Sequence, residues 1–420
     1  MDKLMVHGGA ELNGSINVSG SKNSSLPILA ATLLTSDPCI IRRVPDVSDA
    51  NYMVQILQNL GCEVERSSGV VSVQAKQIIP TAPYELVRKM RASICVMGPL
   101  IARLGEATVS LPGGCVIGDR PVDLHVRAMR ALGAEVEVVG GNLVLRAPDG
   151  LIGAEVNLRG THGTTVLGTD NLMMAAVLAR GTTVIDGAAA EPEVEDLACF
   201  LNKMGAKITG AGTNTIVIEG VGDLHGTEHN VIPDRIEAGT FLVAGAIAGG
   251  TVTIRRACGD HLRALIDVLK SCGHTVTETC DTVTITRGSQ TCGAQITTET
   301  YPGFPTDMQA QMCALFATTP GLSVVTDTIF PERFMHVAEM KRMGAEINRE
   351  GGTAVIRGVP QLSAAPVMAS DLRASAALVL AALTARGTTE IHRLYHIDRG
   401  YEHIDEKLIQ LGAGMNRIRD

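Results

Sequence analysis

One turn, a glycine closing an amphipathic helix and leading into a β-branched segment, recurs six times along the 420-residue chain. It reads LGCEV, LGAEV, MGAKI, CGHTV, MGAEI and LGAGM, with glycines at 61, 133, 205, 273, 344 and 412. The spacings of 72, 72, 68, 71 and 68 residues identify one supersecondary unit used six times. Ahead of the first turn Met53, Ile56, Leu57 and Leu60 fall on one helical face. Leu262, Leu265, Ile266 and Leu269 repeat that spacing ahead of the fourth. Segments such as GTTVIDG (181–187) and GGTVTIRR (249–256) add strands, so the unit is mixed α/β.

Each unit also holds a helix that is apolar nearly all round: SLPILAATLL, RASICVMGPLIARL, GTDNLMMAAVLA, AGTFLVAGAIAG, TDMQAQMCALFATT and SDLRASAALVLAALTA. Helices without a polar face belong inside. A chain of this length splits into two domains, which predicts two similar globules of three units each, helices inside and sheets outside. With no Trp, 3% aromatic residues and 45 Gly, the cores must be built from small and aliphatic side chains.

Polar and charged residues gather where these helices begin: Ser21, Lys22 and Asn23; Lys89, Arg91 and Ser93; Asp234, Arg235 and Glu237; Thr306, Asp307 and Gln309; Asp371, Arg373 and Ser375. Capping explains the Ser and Asp residues. Basic residues at that end oppose the helix dipole, which points to a polyanionic ligand held between the globules. By local pattern alone, Thr306 and Asp307 read as cap residues.

The segment LPGGCVIGDRPVDLH (111–125) sets Cys115 between glycine clusters, with Arg120 close behind. A neighbouring guanidinium favours a thiolate, so both acid and nucleophile roles are open to it. The ten cysteines show no C-x-x-C pair or zinc spacing and are read as reduced thiols, with no metal. A net charge of −8 argues against general nucleic-acid affinity. No signal-like or membrane-spanning apolar run is seen, and a cytoplasmic protein is expected.

Nine ordered motifs resemble those of the enolpyruvyl transferase family, in its branch acting on UDP-N-acetylglucosamine. They are GSKNSSLPIL (20–29), MRAS (90–93), the Cys115 loop, EPEVEDL (191–197), PDRIEAGTF (233–241), FPTDMQAQ (304–311), ERFMHV (332–337), DLRASAALV (371–379) and YHIDRGYE (395–402). The resemblance implies two inside-out α/β domains, each of three βαβαββ-type units around buried helices. It places them at 21–232 and at 1–20 plus 233–420, with the first strand crossing to the second domain and the active site in the cleft.

It further implies transfer of the enolpyruvyl group of phosphoenolpyruvate to the sugar 3-hydroxyl, without a cofactor, nucleic acid, membrane or obligate protein partner. Cys115 matches the proton donor, which also forms a covalent adduct with phosphoenolpyruvate and is alkylated by fosfomycin. Lys22, Arg120 and Arg399 match the phosphate contacts, and Arg333 and Arg373 those on the carboxylate side. Asp307 matches the base at the 3-hydroxyl, partnered by Asn23. Arg91, Arg120, Pro121, Val122, Asp123, Leu124 and Ile329 match UDP-sugar contacts, and Asp371 a further substrate contact. Glu191, Glu193 and His125 lie in the motifs without an assigned role.

Two departures stand out. The segment 161–176 is longer than in the shortest family versions, so contacts there do not transfer, and Ser48 occupies a place where some members carry a lysine. Rival readings are an enolpyruvylshikimate-phosphate synthase, a six-unit DNA clamp and a catalytically silent paralogue. The clamp leaves Cys115 and the anion-binding clusters unexplained.

Overall fold

A computed structural model describes residues 2–111, 122–161 and 163–419. The described chain forms two compact units. The first comprises residues 20–111 and 122–232, and the second 2–19 and 233–419. Each has its own apolar core, one running from Leu26 to Val231 and the other built from Leu4–Val18 and Ile236–Met415.

Six sheets repeat one pattern. In the second unit, Gln295–Thr297 pairs in parallel with Leu322–Thr326, which pairs antiparallel with Thr353–Arg357, itself paired with Glu346–Glu350. In the first unit, Glu155–Asn157, Thr182–Asp186, Thr215–Glu219 and Lys207–Thr209 follow the same order. The sheet Glu106–Ser110, Asn142–Arg146, Glu135–Val139 has three strands, with a parallel bridge from Thr81 to Thr108 where the fourth would lie.

Three apolar helices occupy the middle of each unit: Lys22–Ala31, Met97–Leu104 and Val166–Ala176 in the first, and Arg235–Ala248, Gln309–Phe316 and Leu372–Ala382 in the second. Residues 236–247 are buried without interruption. The expected fold class of repeated α/β units around buried helices is therefore the one observed. Small side chains let these helices close up. A Cβ on Gly98 would lie 2.4 Å from the Asn171 carbonyl oxygen, so no larger residue fits there. The six repeat glycines all adopt φ between 89° and 105°, the left-handed conformation that ends a helix and that other residues resist.

Two buried helices depart from the expected continuous α form. Arg91–Val96 and Thr306–Met308 are 3-10 turns that lead into α-helices at Met97 and Gln309, so Arg91, Thr306 and Asp307 lie on tighter backbone than an α-helical start supplies.

The chain passes twice from one unit to the other, each time straight after a strand that pairs within the unit being left. Gly14–Asn17 precedes the first unit's opening helix but pairs with Thr251–Arg255, and Glu228–Asn230 precedes the helix Arg235–Ala248 but pairs with Cys39–Arg42. Lys3–His7 lies between Thr388–His392 and Gly414–Ile418, with Leu4 opposite Ile391, and so completes the last repeat. Among the described residues no helix is long and apolar enough to cross a membrane.

Candidate active site

In the second unit, three of the predicted residues meet. Asp307 receives Arg333 Nη1 on Oδ1 at 2.7 Å and Arg373 Nη2 on Oδ2 at 2.8 Å. Both guanidinium side chains are almost wholly buried, at 8% and 4% exposure, whereas the Asp307 side chain keeps 26%. The 3-10 turn makes no side-chain cap bond, which corrects the cap reading: the Asp307 carboxylate is spent on guanidinium groups, not on helix amides. Burial pushes its proton affinity up, but Arg373 and Arg333 outweigh that and hold the carboxyl well below the usual carboxylate range.

The guanidinium groups are braced from behind. Arg373 lies over the Tyr401 ring at 5.4 Å, and the Tyr401 hydroxyl meets Thr240 Oγ1 at 2.9 Å and Gln311 Nε2 at 3.2 Å. Arg333 lies over Phe330 at 5.8 Å. The Nε of each arginine finds no hydrogen-bond partner among the described residues. A buried donor left unmatched is costly, so each guanidinium carries one unmet donor within the protein. Neighbouring His336 is buried, its proton affinity pushed down to about 4 by burial, so it is neutral.

Asp371 caps the helix Leu372–Ala382, accepting from Arg373 N at 2.9 Å and Ala374 N at 3.1 Å, and thereby sets where the Arg373 side chain departs. Arg399 ends the 3-10 turn Leu394–Arg399 and is half-buried. Ile329, also half-buried, sits in a loop gathered by Asp327, a residue that sequence reasoning passed over.

In the first unit Lys22 opens the helix Lys22–Ala31 and reaches Asp49 Oδ2 at 3.3 Å, with both side chains largely buried. Ser21 caps that helix, and Asn23 beside it is half-buried. Asp196, inside EPEVEDL but unremarked in the sequence, fixes this helix start by accepting from Ser24 Oγ and from Ile232 N at 3.2 Å, with His229 on its other oxygen at 2.8 Å. Arg91 begins its 3-10 turn half-buried. Val122, Asp123 and Leu124 lead into the helix Asp123–Ala131, whose His125 meets Asn171 at 3.1 Å. Asn171 also accepts from Gly98 N at 2.8 Å, so His125 ties that helix to two of the buried ones. Cys115, Arg120 and Pro121 lie outside the described residues.

Repeated α/β units around buried helices, with one carboxylate clasped by two buried arginines, define the structural class of the chain. The family model described as EPSP synthase (3-phosphoshikimate 1-carboxyvinyltransferase) matches residues 6–408, and the chain belongs to this enolpyruvyl transferase family. It is 67% identical over 422 residues to the UDP-N-acetylglucosamine 1-carboxyvinyltransferase of Akkermansia muciniphila, covering 100% of this chain and 99% of that one. It is 55% identical over 419 residues to the enzyme of the same name from Methylacidiphilum infernorum, with the same coverage of 100% and 99%. Among solved structures, the enolpyruvyl transferase NikO from Streptomyces tendae matches with a TM-score of 0.90 at 25% identity, over 99% of this chain and 98% of that one.

Proposed function

We propose that this chain transfers the enolpyruvyl group of phosphoenolpyruvate to the 3-hydroxyl of UDP-N-acetylglucosamine and releases phosphate, the first committed step of peptidoglycan synthesis, in the cytoplasm. The clasp of Asp307 by Arg333 and Arg373 carries the chemical reading, and the 67% identity to a UDP-N-acetylglucosamine 1-carboxyvinyltransferase supports the acceptor. The substrates are two small molecules, and the chemistry asks for no cofactor.

The residues divide the work by charge. Lys22, Arg120 and Arg399 hold the phosphate, and Arg333 and Arg373 the carboxylate, since a planar fork suits bidentate oxygen pairs. Cys115 gives a proton to C3 of phosphoenolpyruvate while the sugar oxygen bonds to C2 and its hydroxyl proton passes to Asp307. The Cys115 thiolate left by that step takes a proton back from C3 as phosphate departs from the tetrahedral intermediate, which restores both the double bond and the thiol. Asn23 orients the sugar hydroxyl. Arg91, Val122, Asp123, Leu124 and Ile329 line the UDP-sugar, with Arg120 and Pro121 beside the uracil.

Asp307 held by two guanidinium groups is a weak base. A substrate carboxylate that takes a share of those groups weakens the clasp and raises the proton affinity of Asp307 when the sugar hydroxyl needs it. Asp371 supports this arrangement as the cap beneath Arg373.

Phosphate release from phosphoenolpyruvate, assayed with UDP-N-acetylglucosamine or with shikimate 3-phosphate, tests the reading. Release with the UDP-sugar alone, strongly reduced in Cys115→Ser, is expected. Turnover with shikimate 3-phosphate would overturn the acceptor.

A further inference from the structure

The residue that follows the second strand of each repeat is Arg43, Leu111, Gly187, Arg256, Asp327 or Arg393. Four of these take left-handed backbone: Arg43, Arg256 and Arg393 at φ 63°, 56° and 63°, and Gly187 at 67°. In three of those repeats the next residue, Val44, Ala188 or Ala257, donates its amide to the tip of the hairpin at 2.9 to 3.0 Å. At Asp327 the residue itself makes that bond, to Gly352 O at 2.8 Å, without the left-handed step. Leu111 does the same to Gly141 O at 2.9 Å, so the junction forms equally well on an apolar side chain. The fold therefore does not require a buried acid here, where Asp327 is 1% exposed.

That carboxylate serves the neighbouring site. Oδ1 accepts from Thr298 Oγ1 at 2.8 Å, Ile329 N at 3.0 Å and Phe330 N at 2.8 Å, and Oδ2 accepts from Thr306 Oγ1 at 2.6 Å. A carboxylate only accepts, so the Thr306 hydroxyl must donate to it and is left to accept. Its lone pairs then face Arg333 Nη1, 3.3 Å away, on the same nitrogen that holds Asp307. We infer that Asp327 is a positioning residue for the transfer: by fixing the direction of the Thr306 hydroxyl it aims the Arg333 guanidinium at the carboxylate of phosphoenolpyruvate. The inference rests on the function proposed above and assigns Asp327 and Thr306 to donor binding, not to proton transfer.

Steady-state kinetics with both substrates tests it in Asp327→Asn, Thr306→Val, Thr306→Ser and the Asp327→Asn/Thr306→Val double variant. An asparagine keeps an oxygen for the loop amides but turns an N–H toward Thr306, reversing the hydroxyl. The expected result is a KM for phosphoenolpyruvate raised about tenfold in Asp327→Asn and in Thr306→Val, the size of one hydrogen bond to a charged group, with kcat within about threefold. The double variant should be no worse than either single one, and Thr306→Ser should behave as wild type. A KM within about twofold of wild type in either single variant, additive effects in the double variant, or a Thr306→Ser as impaired as Thr306→Val would overturn the assignment. If Asp327→Asn fails to fold, the two Thr306 variants alone decide it. A well-folded wild type that turns over neither acceptor would instead overturn the functional reading itself.

Discussion

Two carboxylates of the second unit, Asp307 and Glu237, both sit at the start of a buried helix and both touch cations, yet they behave oppositely. Asp307 is clasped by two guanidinium groups and stays ionised well below the ordinary carboxylate range. Glu237 is 2% exposed and has one ammonium, from Lys407, on Oε1, with Ser19 N at 3.1 Å on Oε2. Burial pushes its proton affinity up to about 7, Lys407 offsets only part of that, and Asp234 adds to the rise. One cation does not repay the desolvation of a buried acid, whereas two rigid forks do. The second arrangement also suits an anionic substrate, because guanidinium groups that outmatch one carboxylate are ready for another.

Removing the acid from the clasp gives the largest expected effect. Asp307→Asn should lower kcat by roughly 10³-fold, the scale of a lost general base, without weakening phosphoenolpyruvate binding, since both arginines lose their competitor. Isothermal titration beside the kinetic assay checks it. Weaker binding would show that Asp307 organises the arginines more than it competes for them.

Next comes the pH dependence of stability. A carboxyl whose folded value is raised contributes stability at low pH that is lost as pH climbs, here between the unfolded value of 4.5 and about 7. Glu237→Gln should remove a slope worth about 3 kcal/mol across that window, read from denaturant melts at several pH values. Asp307 tilts the other way: its contribution is full above the ordinary carboxylate range and disappears only as pH falls below it. Lys407→Met sharpens the contrast by leaving Glu237 buried without its cation, so the variant should lose about 2 kcal/mol more stability at pH 8 than at pH 5. An equal loss at both pH values would mean that Lys407 acts by packing alone.

The smallest effect is expected where a similar fork meets water. Arg263 binds Glu278 through two bonds of 3.0 Å and Asp260 through one of 2.8 Å, but its side chain is 45% exposed. Arg263→Ala should cost no more than about 0.5 kcal/mol in a urea melt, since solvent screens the pair. A loss as large as that of a clasp residue would refute burial as the deciding variable.

The fold was legible because a period of about 70 residues and wholly apolar helices survive any change of detail. The chemistry was less so. A Thr-Asp pair at a helix start looks the same whether the carboxylate turns to its own amides or to arginines 26 and 66 residues away, and only the three-dimensional path separates the two. Asp327 lies in none of the nine motifs, and Asp196, though inside EPEVEDL, had nothing to set it apart there, because a hub of hydrogen bonds is defined by what arrives around it. The left-handed Arg43, Arg256 and Arg393 close the related strings IRR, IRR and IHR, a clue visible in the sequence once the repeat boundaries are known.

The placement of Lys3–His7 has a consequence for the order of events during synthesis. That strand leaves the ribosome early, yet both neighbours, Thr388–His392 and Gly414–Ile418, come from the far end of the chain. The first unit owns all its strands once residue 232 has emerged, while the second lacks Gly414–Ile418, the edge strand beside Lys3–His7, until that segment is made. In the interval Lys3–His7 has unpaired backbone groups, open to chaperones and to pairing with other nascent chains. Translation that stops short of residue 414 therefore leaves a well-formed first unit attached to an aggregation-prone partner.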